Sequence, residues 1–137
     1  SKGNVIELRF SEEEVNKAVM SMYTDPKRLK ATDPGTVEGN PLFQYHDAFN
    51  PDKEKVDDFK KRYREGKVGD VEVKKDLAET LNNFLSPIRE KREYYENNPK
   101  EVEDALMSGT SKAREIASET MKMVRAAMKI DSYTSKW

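Results

Sequence analysis

The stretch from Asp70 to Tyr95, DVEVKKDLAETLNNFLSPIREKREYY, decides the fold. Val73, Leu77, Leu81, Phe84, Leu85 and Ile88 recur at intervals of three and four, the spacing that lines one side of an α-helix. Lys74, Lys75, Glu79, Asn82, Asn83, Arg89 and Glu90 fill the other side. A helix striped in this way has to bury its apolar side against other elements. Asp70 reads as its N-cap. Pro87 lacks an N–H and crowds the preceding turn, which predicts a bend near Asn83 to Ser86 inside one continuous helix.

Working outward from this helix, Gly66-Lys67-Val68-Gly69 is a turn, and Gly66 is the natural C-cap of the helix before it. Asn40-Pro41 and Asn50-Pro51 each place a cap residue ahead of a proline at the first helical position, predicting helices over 41–49 and 51–65. Val56, Phe59 and Tyr63 face inward in the second of these. Ser11 and Glu14 form a capping box for a helix over 12–23. Between Thr24 and Asn40, Asp25-Pro26, Asp33-Pro34-Gly35 and Gly39-Asn40 leave no room for a regular element, so a long loop is expected, of a length that usually carries function. On the far side, Asn98-Pro99 starts a last helical unit, with a break or bend at Ser108-Gly109 and then a stripe of Ala113, Ile116, Ala117, Thr120, Val124, Ala127 and Met128. No segment alternates with period two over a strand's length. The expected class is all-α: a bundle of five or six helices with one long loop in the N-terminal half.

Composition narrows the function. With 25 basic and 26 acidic residues the net charge gives no global pull toward nucleic acid, so any such contact must come from local patches. Absence of cysteine removes disulfides, thiolate nucleophiles and thiolate metal sites, and the single histidine, His46, reads as a packed or surface residue and not a catalytic one. The acidic runs Glu12-Glu13-Glu14 and Asp57-Asp58 read as a helix-start partner for the macrodipole and a solvated face. The six methionines read as core filling. No apolar run reaches membrane-spanning length and no signal peptide is seen, so a cytoplasmic domain without a membrane partner is expected. Lys27, Arg28 and Lys30 on the long loop, and the basic residues from Lys60 to Lys75 around the glycine-bearing turn, combine positive charge with loop backbone, the mixture that phosphate and base contacts on folded RNA use. Charged faces of this kind also occur merely as solvated surface.

Several short strings carry a family resemblance. Ser1-Lys2-Gly3-Asn4 followed by Val5-Ile6-Glu7-Leu8 resembles the end of the KMSKS loop of class I aminoacyl-tRNA synthetases, with Ser1 matching its final serine. Tyr23-Thr24-Asp25-Pro26-Lys27-Arg28, Thr32-Asp33-Pro34-Gly35, Asn40-Pro41 with Tyr45-His46, Lys74-Lys75-Asp76-Leu77-Ala78 and Ser86-Pro87-Ile88-Arg89-Glu90-Lys91-Arg92 follow in an order that resembles the C-terminal half of the bacterial-type tryptophanyl-tRNA synthetases. The resemblance runs from residue 1 to about 130.

It implies that residues 1–10 are the remnant of the KMSKS loop and its exit, that 11–130 are the helical anticodon-binding domain, and that 131–137 form a frayed tail. The ATP- and tryptophan-binding fold would precede Ser1, so no catalytic residue and no cofactor is expected in this portion; ATP and Mg belong to the full-length enzyme, which would be a homodimer. The implied partners are the anticodon loop of tRNA(Trp) and the chain's own catalytic domain. Some relatives hold an iron–sulfur cluster in this region through four cysteines, and the resemblance lays those positions on Asn40, Tyr63, Asp70 and Val73; none is cysteine, so neither cluster nor zinc is expected. The same comparison brings the end of the long loop, the end of the basic helix and the start of the central helix to one corner facing the anticodon. Arg28, Lys30, Arg64, Lys67, Asp70 and Lys74 are the expected tRNA contacts. The alternatives are a helical protein-interaction module with incidental basic loops, and the equivalent domain of another class I synthetase such as the tyrosyl enzyme.

Overall fold

The computed structural model of the chain describes residues 5–25, 28, 30 and 32–130. Five helices follow one another, α1 (Glu12–Met20), α2 (Pro41–Phe49), α3 (Lys53–Arg64), α4 (Asp70–Asn97) and α5 (Pro99–Met128), and no strand occurs among the described residues. The expected all-α class and the long loop ahead of α2 are both present. Two compact units divide the chain, Ser1–Lys91 and Arg92–Trp137.

In the first unit the core is assembled from thin stripes, as the composition requires. Val15 and Val19 of α1, Leu42 and Phe43 of α2, Phe59 and Tyr63 of α3, and Val73, Leu77, Leu81 and Leu85 of α4 are all buried, joined by Val37 of the loop and Val68 of the turn. Ile6 and Phe10 lie against this cluster from the N-terminal side, where Arg89 donates to the Phe10 carbonyl at 2.8 Å. One member of the expected α4 stripe stays outside. Phe84 is 47% exposed, and its ring meets that of Phe49 at 5.1 Å on the surface.

The helix boundaries show what local chemistry was hidden in the sequence. α1 opens on the expected capping box, in which Ser11 and Glu14 each receive the other's backbone N–H. It stops at Met20, short of residue 23: the Ser21 hydroxyl donates to the Ala18 carbonyl and the Met22 amide turns to the Val19 carbonyl, which tightens the last turn. α3 starts later than the Asn50-Pro51 pair implies, because Asp52 is the N-cap, accepting from the Lys55 N–H at 2.9 Å. Asn50 instead closes α2 and ties it to α4: its amide donates to His46 Nδ1 (3.2 Å) and to Asp76 (3.1 Å). Gly66 ends α3 as expected, at φ 68°, and the carbonyl of Thr32 lies where a Cβ would have to go. α4 runs unbroken through Pro87.

In the second unit, Asn98 sits at the N-cap position of α5 without a side-chain capping bond; its amide reaches back to the Tyr94 carbonyl at 2.7 Å. α5 does not break at Ser108-Gly109, since a glycine inside a helix lowers its stability by only about 1 kcal/mol and does not end it. None of its residues is buried. Ile116, Val124 and Met128 are exposed, as are Met20, Met107, Met121 and Met123, so these methionines are not core filling here.

His46 is fully buried and behaves as a packing residue with a fixed tautomer. Its Nε2 faces the Val73 carbonyl at 3.1 Å, which can only accept, so Nε2 carries the proton; Nδ1 then accepts from Asn50. Burial is the main reason its pKa falls below the ordinary value, with the Val73 carbonyl, Asp76 and Asp47 acting against it. An imidazole held neutral contributes stability that is complete above its unfolded pKa of about 6.5 and is lost as pH falls below that value. Urea denaturation from pH 7 to pH 5 should therefore show falling stability, with a contribution from this group no steeper than about 1.4 kcal/mol per pH unit. In His46→Gln that slope should flatten, whereas a flat wild-type profile would contradict the assignment.

Candidate functional site

The long loop, the end of α3 and the first turn of α4 meet around one carboxylate. Asp70 is the first residue of α4 and not a cap, since the Gly69 carbonyl takes the Glu72 and Val73 amides. Its side chain points to the neighbouring elements: Oδ1 accepts from the Tyr63 hydroxyl at 2.8 Å and Oδ2 from Arg28 Nη1 at 3.0 Å. An anionic group here also sits at the positive end of the α4 dipole.

Arg28 is the loop's anchor. Its side chain is 1% exposed, Nε donates to the Asp33 carbonyl and Nη2 to the Val68 carbonyl, both at 2.8 Å, and its guanidinium lies 4.1 Å from the centre of the Tyr63 ring. A planar cation with several fixed donors can hold a carboxylate, two carbonyls and an aromatic face at once, which lysine cannot. Burial pushes the Tyr63 hydroxyl above its ordinary range, so it stays a donor to Asp70 at neutral pH. The same ring packs edge-on to Phe43 at 4.9 Å. Gly35 closes the loop over it, donating its N–H to the Tyr63 carbonyl at 3.0 Å so tightly that a Cβ would fall 2.2 Å from the ring.

Lys74 holds the second anchor. Although it belongs to the predicted polar side of α4, it is only 4% exposed, and its ammonium donates to the Met20 carbonyl (3.2 Å), the Met22 carbonyl (2.7 Å) and the Thr24 hydroxyl (3.0 Å). Three acceptors use the three donors of the ammonium. The ammonium thereby supplies donors to carbonyls that the end of α1 and the residues just after it leave free. Burial lowers the Lys74 pKa from its ordinary value, with Asp70 acting in the opposite sense.

The six expected contact residues thus divide in two. Arg28, Asp70 and Lys74 are internal, tying the corner together. Lys30, Arg64 and Lys67 are exposed at its surface, where Arg64 pairs with Glu38 at 2.7 Å and Lys67 with Glu65 at 2.7 Å. These carboxylate partners, distant in sequence for Arg64, carry no sequence signal of their own. Ser1 and Lys27 lie outside the described residues.

The four positions laid on the relatives' cluster are close to one corner but do not fit a metal. Asn40 uses its side-chain oxygen to cap the Leu42 amide at 3.0 Å, Tyr63 and Asp70 bond to each other, and Val73 is buried hydrocarbon. This donor set holds no sulfur and offers no soft tetrahedral site. Among the described residues no group of three His, Cys, Asp or Glu side chains converges.

The family model for the class I tRNA synthetases (W and Y) matches residues 1–86. The chain belongs to this family. The tryptophan–tRNA ligase of Borreliella burgdorferi is 52% identical over 126 residues, covering 91% of this synthetase chain and 36% of that protein. That of Treponema pallidum is 51% identical over 128 residues, covering 93% and 38%. A crystal structure of tryptophanyl-tRNA synthetase from Campylobacter jejuni, complexed with ADP and tryptophan, superposes with TM-score 0.78 at 29% identity over 94% of this chain and 40% of that one. The chain therefore spans well under half the length of these synthetases.

Lys74→Met keeps the aliphatic stem of Lys74 and removes the charge, leaving three oxygens without their donor. Urea denaturation should show a loss of about 2–3 kcal/mol, whereas Lys75→Met, on the exposed side of the same turn, should stay within about 0.5 kcal/mol of wild type. Equal effects of the two would contradict the anchoring role.

Proposed function

We propose that this chain is the helical, tRNA-contacting portion of a tryptophan–tRNA ligase, and that its corner at the start of α4 receives the anticodon loop of tRNA(Trp). The observation that carries the reading is the identity of 51–52% with two tryptophan–tRNA ligases over more than nine-tenths of the chain. It favours this function over an unrelated interaction module. Three relatives at 47–52% identity bear the tryptophan name, which favours it over the tyrosyl alternative.

The chemistry is recognition. Unpaired anticodon bases present their edges and faces once splayed, and a protein reads them with fixed side chains while cations hold the phosphates. Lys30, Arg64 and Lys67 are the contacts exposed for that purpose. Arg28, Asp70 and Lys74 act one step back, by fixing the loop and the first turn of α4 so that the exposed groups are presented in one geometry. Residues 1–10 would form the exit from the KMSKS loop and 11–130 the anticodon-binding domain; the expected tail, 131–137, lies outside the described residues. ATP, Mg and tryptophan chemistry would reside in the part of the ligases that this chain does not span, so the chain alone should neither activate tryptophan nor charge tRNA. The complete enzyme would work as a cytoplasmic homodimer. Among the described residues no helix is long and apolar enough to cross a membrane.

Titration with a stem-loop carrying the CCA anticodon and with a scrambled loop, at several salt concentrations, tests the reading. The CCA loop should bind at least about tenfold more tightly, and Arg64→Ala and Lys67→Ala should each weaken binding and reduce the salt slope by about 0.7–0.9 for every phosphate the variant no longer neutralises. Equal, weak and salt-sensitive binding of both loops would leave only non-specific charge contact.

A further inference from the structure

Beside the Asp70 corner lies a cavity of about 430 Å³ that no catalytic or metal-binding role explains. Tyr23 forms one wall, Glu38 another, and Thr36, Asn40 and Pro41 close it at the start of α2. Its frame is rigid. The Thr36 amide donates to Asp25 at 3.0 Å, the Asn40 side-chain amide donates to the Thr36 carbonyl at 3.4 Å, and the Asn40 oxygen holds the Leu42 amide. The Tyr23 side chain makes no hydrogen bond or ring contact among the described residues, and Tyr23 is 52% exposed. A large aromatic left half in water along the wall of an open cavity offers a stacking face.

Glu38 supplies the complementary edge. Arg64 donates to its Oε1 at 2.7 Å and holds its pKa below the ordinary carboxylate value. A carboxylate accepts at several lone-pair positions, so a Glu38 oriented by one guanidinium nitrogen still takes a further N–H donor. Cytosine presents such a donor in its exocyclic amino group, the group a carboxylate accepts from in direct base readout. Uracil offers a carbonyl oxygen at the same place, which a carboxylate repels.

We propose that this cavity is a nucleobase subsite: an unpaired anticodon cytosine stacks on the Tyr23 ring and donates its amino group to Glu38, which Arg64 holds in place. The inference rests on the anticodon reading above and adds the residues that read one base. Neither Tyr23 nor Glu38 belongs to the packed core, so substituting them tests recognition without disturbing the fold.

The test measures affinity of the chain for stem-loops with CCA, UUA and scrambled anticodons, in wild type, Tyr23→Ala, Tyr23→Phe and Glu38→Gln, with thermal unfolding followed in parallel. Tyr23→Ala should bind the CCA loop at least about fivefold more weakly, and Tyr23→Phe, which keeps the ring, should bind like wild type. Wild type should prefer CCA to UUA, and Glu38→Gln, whose amide can turn to donate to a carbonyl, should lose that preference. If wild type prefers CCA to the scrambled loop while Tyr23→Ala and Glu38→Gln behave as wild type, the subsite is overturned and the anticodon reading stands. If wild type does not discriminate at all, the anticodon reading falls and the subsite with it. Unchanged unfolding temperatures in the variants are expected; a large drop in Tyr23→Ala would assign that side chain to packing and overturn its stacking role.

Discussion

The Asp70 carboxylate is the point on which the first unit's irregular half depends. One oxygen takes the hydroxyl of Tyr63 from α3 and the other takes Arg28 from the loop, while Arg28 also holds the carbonyls of Asp33 and Val68. Each partner is buried or nearly so. In such surroundings an unpaired charge is far more costly than a paired one, and removal of a single partner commonly lowers stability by about 3–5 kcal/mol. The loop ahead of α2 has no helix or strand of its own among the described residues, so these bonds, the Gly35 to Tyr63 contact and the burial of Val37 are what give it one conformation. Lys74 does the equivalent for the other end of the loop by gathering the last carbonyls of α1.

Polar ties of this kind take the place that a metal would occupy in a corner built from cysteines. A cluster holds four ligands by bonds to one centre. Here the same stretches of chain are joined through an ion pair, a phenol hydrogen bond and a cation over an aromatic ring, each directional and each satisfied; no buried side-chain nitrogen or oxygen among the described residues lacks a partner. For the recognition proposed above, the exposed cations Arg64 and Lys67 would stand on backbone fixed from beneath. A base or phosphate meeting them loses little free energy in ordering the site.

Much of the fold was legible because it rests on local rules. The capping box at Ser11, the Asn40-Pro41 start, the Gly66 stop and the period of Val73, Leu77, Leu81 and Leu85 each follow from a few adjacent residues. The departures have tertiary causes. Asp70 forgoes capping because Tyr63 and Arg28 claim it, Lys74 turns from the polar side of α4 to the carbonyls of Met20 and Met22, and Phe84 packs on Phe49 at the surface. The candidate site shows the same division. Sequence pointed to one corner, but a lysine or arginine looks alike whether it anchors the core or faces water, so Arg28 and Lys74 could not be told from Arg64 and Lys67. Glu38 carried no motif, and Tyr23 stood only at the end of the expected first helix and at the head of one family string; the cavity that both line is what draws notice.

Native-state hydrogen exchange tests the central role of Asp70 most directly. In Asp70→Ala the Gly35 amide, bonded to the Tyr63 carbonyl, should lose most of its protection, while the amides of Leu77 to Leu85 inside α4 keep theirs. Unchanged protection at Gly35, or an equal loss along α4, would contradict the account, the first by showing that the loop is held without Asp70 and the second by showing that Asp70 supports the whole unit and not this corner.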